Sequence, residues 1–407
     1  MKNYFNPAIT YILLWCLYSL QGTLYATGGI ISRSLLLILL GWSIYSCFLV
    51  NFKKSQPLPS FIKIVNAFLI IATIYGGVLI ASGQVLCITE YETIRVPNFQ
   101  YLKDIYSSLL PVYTIYYYAL RGCINRQHIG KLLLLLICIT WVAYFKTQAN
   151  NLAAAMAIES TREEFTNNQG YAFLAILPLL LSWDKKPLLQ YILFLVCIGG
   201  IILCMKRGAI IIGAICAIYF ISSSLKTVKG STKFAILILS VLAIIATTSI
   251  VQDMLATSDY FAYRIEQTLE GDSSNRDIIY SNLWNTFINE SNPFILLFGR
   301  GANATLSVGP NYAHNDWLEL LTNQGLLGIC IYISYFIALL KDARKVKTIN
   351  KTYSNVLTMA LFILFSRALF SMSYSTISIG LALAIGLALA SSNKENNNIH
   401  YLEDRDN

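Results

Sequence analysis

Apolar runs long enough to cross a bilayer recur along almost the whole chain, and they leave little room for any other architecture. A membrane-spanning helix needs about 20 mainly apolar residues, fewer where flanking groups help. Twelve segments answer to this, near 8–25, 30–50, 61–81, 105–120, 129–146, 169–183, 188–205, 208–223, 233–251, 323–340, 353–370 and 375–391. Only 13% of residues are charged and 56% are hydrophobic, with a mean hydropathy of +0.57. A soluble domain carries about 25% charged residues. The sequence predicts an all-α polytopic membrane protein of about twelve transmembrane helices. Residues 1–391 are expected to form one helical membrane domain. The Asn-rich segment 392–407 is expected to be a disordered cytoplasmic tail. No small-residue cleavage site follows Met1-Lys2-Asn3, so the first helix is expected to stay as an anchor.

The distribution of charge gives an orientation. With the N-terminus inside, most of the 30 basic residues fall on the inner side, and every inner loop carries at least two. The net charge of +9 is therefore a matter of topology, and no basic stripe interleaved with aromatics points to nucleic acid. Three outer segments are sizeable: 82–104, 147–168 and 252–322, the last lying between the ninth and tenth expected helices. Within it, Ser274 or Asn275 caps an expected helix with Asp277 in its first turn. Ile278, Ile279, Leu283, Trp284 and Phe287 then recur at helical spacing, and Asn292-Pro293 is expected to stop the run. Such a helix lies on the outer membrane face or packs on the bundle.

The same outer segment ends in Asn311-Tyr312-Ala313-His314-Asn315-Asp316-Trp317-Leu318-Glu319-Leu320-Leu321, followed by Gly325-Leu326-Leu327-Gly328. The chain has only three histidines, and His128 and His400 fall on the inner side. His314 is then the one imidazole facing outward. Imidazole is the side chain whose unperturbed titration lies near neutral pH, which suits it to proton transfer. The plainer reading makes this a helix start at the interface, with Asn315 or Asp316 as cap and His314 merely solvated. Gly325 and Gly328 would allow close helix packing.

Cationic residues supply the second set of candidates. Lys206-Arg207-Gly208 sits at the outer end of two apolar runs, against the positive-inside trend. A charge at membrane depth is costly and is commonly kept for a pathway or an anion; snorkelling to the headgroups is the alternative. Arg264 and Arg276 lie in an otherwise acidic outer segment. The guanidinium fork matches phosphate oxygens and stays charged. Arg276 also stands at an expected helix start, where backbone N–H groups favour anions. Arg367, inside the eleventh expected span, is a further candidate by position alone.

Several chemistries find no support. There is no P-loop, no H-E-x-x-H or other metal spacing and no nucleophile elbow. An enzyme built this way, expected to use no metal or other cofactor, would need a substrate that is already activated. The nine cysteines lie mostly in apolar runs and read as packing residues; Cys87 alone falls in an outward segment.

In this order and spacing, Arg207-Gly208 after an apolar span, Arg276 at the head of the loop helix, Pro293 before Gly299 and Gly301, and the His314 motif ending in Gly325-Leu326-Leu327-Gly328 resemble the O-antigen polymerase and ligase superfamily of bacterial envelope glycosyltransferases. The resemblance is clearest over 195–340. It implies a metal-independent transfer at the periplasmic face of the inner membrane. The donor would be a glycan carried on the membrane lipid undecaprenyl pyrophosphate, and the acceptor a hydroxyl of another glycan. A polymerase uses the sugar of a second lipid-linked repeat unit; a ligase uses the lipid A core. By the same resemblance His314 would be the general base, and Arg207 and Arg276 would hold the pyrophosphate. Arg264 is a further pyrophosphate candidate of the acidic segment, but it matches none of these motifs, and neither does Arg300. A chain-length regulator is an expected partner, and nucleic acid is not. Lys206 stands where Ser or Thr is common, which leaves open whether Lys206 or Arg207 meets phosphate. Asp316 is a candidate for orienting His314. Polymerase is the first reading and ligase the second. A transporter would be expected to show two related halves, and none is visible.

Overall fold

The computed structural model describes residues 6–52, 57–83, 85–88, 93–96, 99–124, 126–158, 167–183, 186–226, 228–257, 276–308, 311–376 and 378–391. The tail at 392–407, Arg264, the expected cap residues Ser274 and Asn275, and His400 lie outside them. The chain is a polytopic helical membrane protein. Among the described residues seven helices are long and apolar enough to cross a membrane, and four more are apolar but shorter. Each of the twelve expected segments coincides with a helix. A two-stranded antiparallel hairpin departs from the all-α expectation: β1 (Val85–Ile88) pairs with β2 (Thr93–Val96), with Val85 opposite Val96 and Ile88 opposite Thr93. Val85, Ile88, Thr93, Ile94 and Val96 are β-branched, a composition that favours pairing over helix.

The chain divides into two compact units. One takes its described residues from 6–39 and 122–257, the other from 40–121 and 276–391.

The first unit holds α1 (Pro7–Ser19), the start of α2 (Ile30–Phe52), α5 (Arg126–Ile158), α6 (Gln169–Leu181), α7 (Pro187–Leu203), α8 (Arg207–Leu225) and α9 (Gly230–Thr257). Asn6 caps α1, accepting from the Ala8 N–H at 3.1 Å, and its amide donates to the Cys123 carbonyl at 2.6 Å. α6 is buried from Phe173 to Leu181, and α5, α7 and α8 pack around it. Being apolar on every side, it is a core helix. Glycines set how closely its neighbours approach. A Cβ on Gly200 would lie 2.6 Å from the Phe173 ring, so α7 rides directly on that ring. Phe194 of α7 and Phe220 of α8 stack with centroids 4.1 Å apart. α5 runs on to Ile158, inside the segment expected to be an outer loop from 147. The run Leu152-Ala153-Ala154-Ala155-Met156-Ala157 explains the extension, since alanine, leucine and methionine are strong helix formers.

The second unit contains the rest of α2, α3 (Ser60–Ser82), α4 (Gln100–Leu120), α10 (Arg276–Ile288), α11 (Pro293–Phe298), α12 (Thr305–Val308), α13 (Asp316–Lys347), α14 (Lys351–Phe370) and α15 (Ile379–Ser391). α15 is buried from Gly380 to Ser391 and packs on α4 and α14. A Cβ on Gly386 would come 2.8 Å from Ile115 Cβ. The N-terminus of α3 makes no cap hydrogen bond of its own at Pro59. Asp342, far along the chain in α13, supplies one: its carboxylate accepts from the Ser60 N–H at 3.0 Å and the Phe61 N–H at 2.7 Å. The anion faces the positive end of α3. Asp342→Ala is expected to lower stability by about 1–2 kcal/mol, as loss of a charged cap does. Thermal unfolding in detergent checks this. Asp342→Asn, which keeps one acceptor, is expected to lose less, and an unchanged midpoint for the alanine variant would remove Asp342 from this role.

α13 is two helices joined at Gly325, whose φ of 63° and ψ of −156° interrupt the helix. The expected tenth span thus continues a separate helical segment, 316–324, and the break falls at one of the glycines noted for packing. The reason lies opposite. α11 ends at Gly299 with φ 76°, and a Cβ there would sit 2.4 Å from the Gln324 nitrogen. A Cβ on Gly325 would sit 2.6 Å from the Gly299 nitrogen and from the Leu296 carbonyl oxygen. The two backbones meet where neither has a side chain. The Arg300 and Gly301 N–H groups then bond the Thr322 and Asn323 carbonyls at 2.9 and 3.0 Å, supplying partners at the interrupted helix end. Asn292-Pro293 does not stop α10, which ends at Ile288. Asn292 instead caps α11, accepting from the Phe294 N–H at 3.0 Å with Pro293 in the first turn.

Candidate functional site

His314 lies at a corner built by its neighbours. Asn315 is the N-cap of α13, accepting from the Trp317 N–H at 2.9 Å and the Leu318 N–H at 3.2 Å. The backbone arrives at the cap through His314 in the left-handed region, with φ 50°. A non-glycine residue there is uncommon, with His among the more tolerant types. Such conformations persist only where surrounding contacts over-determine them.

Those contacts come from two buried carboxylates. Asp316 and Glu319 are spaced three apart, so both project from one face of α13, and neither has any exposed surface. Glu319 accepts from the Ala313 N–H at 2.9 Å, from Thr305 Oγ1 at 2.6 Å and from Asn323 Nδ2 at 2.9 Å. The first of these bonds fixes the N–H of Ala313, the residue immediately before His314. Asp316 accepts from Ser373 Oγ and Tyr332 OH, both at 2.5 Å, and from the Ser373 N–H at 2.9 Å. It thereby fastens the connection between α14 and α15 to the start of α13. Asp316, the sequence candidate for orienting His314, is committed to Ser373 and Tyr332. Glu319 holds the histidine corner instead, through the backbone. Its one sequence signal was a carboxylate in an otherwise apolar stretch of helix. Tyr374 follows in the same connection. Burial first, and then the nearby Glu319 carboxylate, push its phenol well above the ordinary range, so it stays neutral.

Arg276 is brought to the same place. It opens α10, whose buried residues Ile279 and Leu283 pack on Ala313 with Leu318 beside them. Ile278 and Trp284, equally apolar, are exposed, so only one side of the expected stripe serves this contact. With α10 seated on Ala313, Arg276 Nη1 donates to the Phe370 carbonyl at 3.0 Å. Asn315 Nδ2 donates to the adjacent Leu369 carbonyl at 3.4 Å. The cation and the residue after His314 therefore share the last two carbonyls of α14, a helix end that favours positive charge. Arg276 remains partly exposed.

Arg367 has a different place. It is buried and reaches Thr376 Oγ1 at 2.7 Å and the Met372 carbonyl at 3.4 Å, holding the connection after α14. Arg300 pairs with Glu290 at 2.5 Å on the surface.

Arg207 belongs to the first unit, where it is the first residue of α8 after a three-residue turn from α7. The turn is tightly made. Met205 is left-handed with φ 50°, and the Asn167 N–H bonds the Cys204 carbonyl at 2.9 Å. Gly170 faces Cys204 and Ala209, where a Cβ would lie 3.2 Å from each of their Cβ atoms. Arg207 thus stands two residues after a left-handed non-glycine residue, the conformation that His314 itself adopts. Lys206 is extended and not helical, so the helix N-terminus, where unpaired N–H groups point outward, begins at Arg207 itself.

Arg207, Arg276, His314 and the buried Glu319 all fall within residues 192–333, which match the family model described as O-antigen ligase, roughly a third of the chain. Over this segment the chain is similar to the O-antigen ligase family, which supports a place in the O-antigen polymerase and ligase superfamily. No curated protein sequence gives a significant match. The family carries with it a polymerase- or ligase-type transfer of lipid-linked glycan by a multi-pass membrane protein.

Proposed function

We propose that this protein is a polysaccharide polymerase of the bacterial inner membrane, acting at the periplasmic face on glycan carried by undecaprenyl pyrophosphate. The observation that carries the reading is the convergence of Arg276 and the His314-Asn315 corner on the end of α14, within a segment of the O-antigen ligase family. In the proposed reaction a hydroxyl of the acceptor repeat unit attacks the anomeric carbon of the donor. His314 takes the hydroxyl proton as the new glycosidic bond forms. The bond from the anomeric carbon to the pyrophosphate oxygen breaks, and undecaprenyl pyrophosphate leaves. Arg276 and Arg207 stabilise the charge on the departing phosphate, with bidentate contacts that lysine does not reproduce. Arg264 is retained as a further pyrophosphate candidate from the acidic segment.

The family description favours one second reading, ligation of the finished glycan to the lipid A core. A deletion strain carrying wild type or His314→Ala, assayed by glycan gel at matched expression, separates the two. General-base removal is expected to lower transfer by about 10²–10⁴-fold. Loss of the ladder with core plus one repeat unit remaining supports polymerase. Core without repeat units, while lipid-linked polymer accumulates, supports ligase. An unchanged ladder in the variant would end the general-base assignment. Full activity in both Arg207→Lys and Arg276→Lys would end bidentate phosphate recognition.

A further inference from the structure

α11 has the sequence Pro-Phe-Ile-Leu-Leu-Phe and no buried residue. Phe294 is 72% exposed, Leu297 46% and Phe298 42%. Six apolar residues in a row on a segment facing water would be a costly surface, since fully burying one such side chain is worth about 1.5–3 kcal/mol. What covers them follows from two rulers within the same unit.

The first ruler is α13. Its apolar, exposed positions after the break are Leu326, Ile333, Ile337 and Leu340, which fall on one side of the helix. Lys341, Arg344, Lys345 and Lys347 follow. From 326 to 340 is about 21 Å at 1.5 Å per residue. The hydrocarbon core of a bilayer is about 30 Å thick. Against that thickness, the straight part of α13 is therefore short by about 9 Å, and the missing depth lies beyond Gly325, where α11 crosses.

The second ruler is α3. Its N-terminus is level with Asp342, which caps it. Tyr75 OH donates to the Phe298 carbonyl, so α11 meets α3 near residue 75. Side chains on a helix lean toward its N-terminus, which puts that hydroxyl no higher than Tyr75 itself. From exposed Lys63 to Tyr75 is about 18 Å, again less than the core thickness. The apolar span continues to Ser82, with Val78 61% exposed beyond the level of contact. Both helices place α11 below the far boundary of the hydrocarbon.

We infer that α11 is immersed in the bilayer, in the half away from the Lys341–Lys347 end of α13, with lipid acyl chains covering Phe294, Leu297 and Phe298. The peptide groups at the Gly299–Gly325 crossing are then shielded from lipid by α11 and satisfied within the protein, as backbone at membrane depth requires. The inference rests on the spans alone and is independent of the reaction assigned to His314.

Nitroxide labels in lipid vesicles test it, on a cysteine-free background that elutes as the wild type does. Labels go at Phe294→Cys, at Ile337→Cys on the lipid-facing side of α13, and at Asn289→Cys, exposed at the end of α10. At Phe294 oxygen collisions are expected to exceed those of a water-soluble nickel chelate severalfold, matching Ile337. A pattern matching Asn289 would overturn the inference. Shielding from both reagents with spin–spin broadening would overturn it as well, by showing a second copy on α11. Wild-type protein in vesicles carrying a diazirine-tailed phospholipid needs no substitution: label on the 291–300 peptide is expected, and label confined to the seven long spans would refute it.

Discussion

Gly325→Val is expected to unseat α11 and to cost about 4 kcal/mol or more, the range reserved for severe core lesions. Two terms act together. Residue 325 has φ 63°, where a β-branched residue is strained by at least about 1–2 kcal/mol. Its first side-chain atom would also lie 2.6 Å from the Gly299 nitrogen and the Leu296 carbonyl oxygen. Those are backbone atoms whose position is held by the bonds from Arg300 and Gly301 to 322 and 323, so rotamer adjustment gives no relief. The expected readout is loss of the monodisperse peak in detergent, or a large fall in the thermal midpoint. Gly77→Ala is the matched control, since a Cβ on that exposed α3 glycine meets nothing within 4 Å. It is expected to be neutral or slightly stabilising. Equal behaviour of the two variants would show that the crossing of α11 and α13 does not depend on the glycine.

Glu319→Ala is the second large effect, and it bears on both stability and transfer. Removing the carboxylate strips partners from the Ala313 N–H, the Thr305 hydroxyl and the Asn323 amide, all in a buried setting. Each orphaned buried group costs about 1–3 kcal/mol, so a loss of about 3–5 kcal/mol is expected by thermal unfolding. The histidine corner loses its backbone tether as well. Misplacing a reacting group by about 1 Å can lower rates about 10²-fold. Glu319→Gln separates the two effects. Its carbonyl oxygen can still serve Thr305 and Asn323, but its amide opposes the Ala313 N–H. That variant is expected to fold with a modest loss of midpoint, to keep KM for the lipid-linked donor close to wild type, and to lose kcat. A variant less stable yet unchanged in kcat would make Glu319 a structural residue only.

Much of this was legible in the residues before any coordinates. The twelve apolar segments coincide with helices because spacing and length alone demand that backbone groups in lipid be satisfied within the segment. The loop helix was legible from Ile279 and Leu283. The break at Gly325 was not, because a glycine read as a packing position does not show which backbone will cross it. The finer errors have local causes. Asn292-Pro293 reads equally as a stop or as a cap with proline in the first turn, and only the chain beyond it decides. The extension of α5 followed from an alanine-rich run that carries no apolar periodicity.

By itself, the sequence determined that the chain is a polytopic helical membrane protein, roughly where its helices run, and that Arg207, Arg276 and His314 stand out from their apolar surroundings. Composition and periodicity suffice for that, because the bilayer imposes one solution on every apolar run. Only the tertiary structure decided that Glu319, and not Asp316, holds the N–H of Ala313, the residue before His314. Only it showed Arg276 and Asn315 sharing the final carbonyls of α14. Those outcomes depend on which donors arrive from residues 305, 313, 323 and 373 to meet each buried carboxylate. A hydrogen bond requires contact within about 3 Å, and separation along the chain does not reveal which groups come that close.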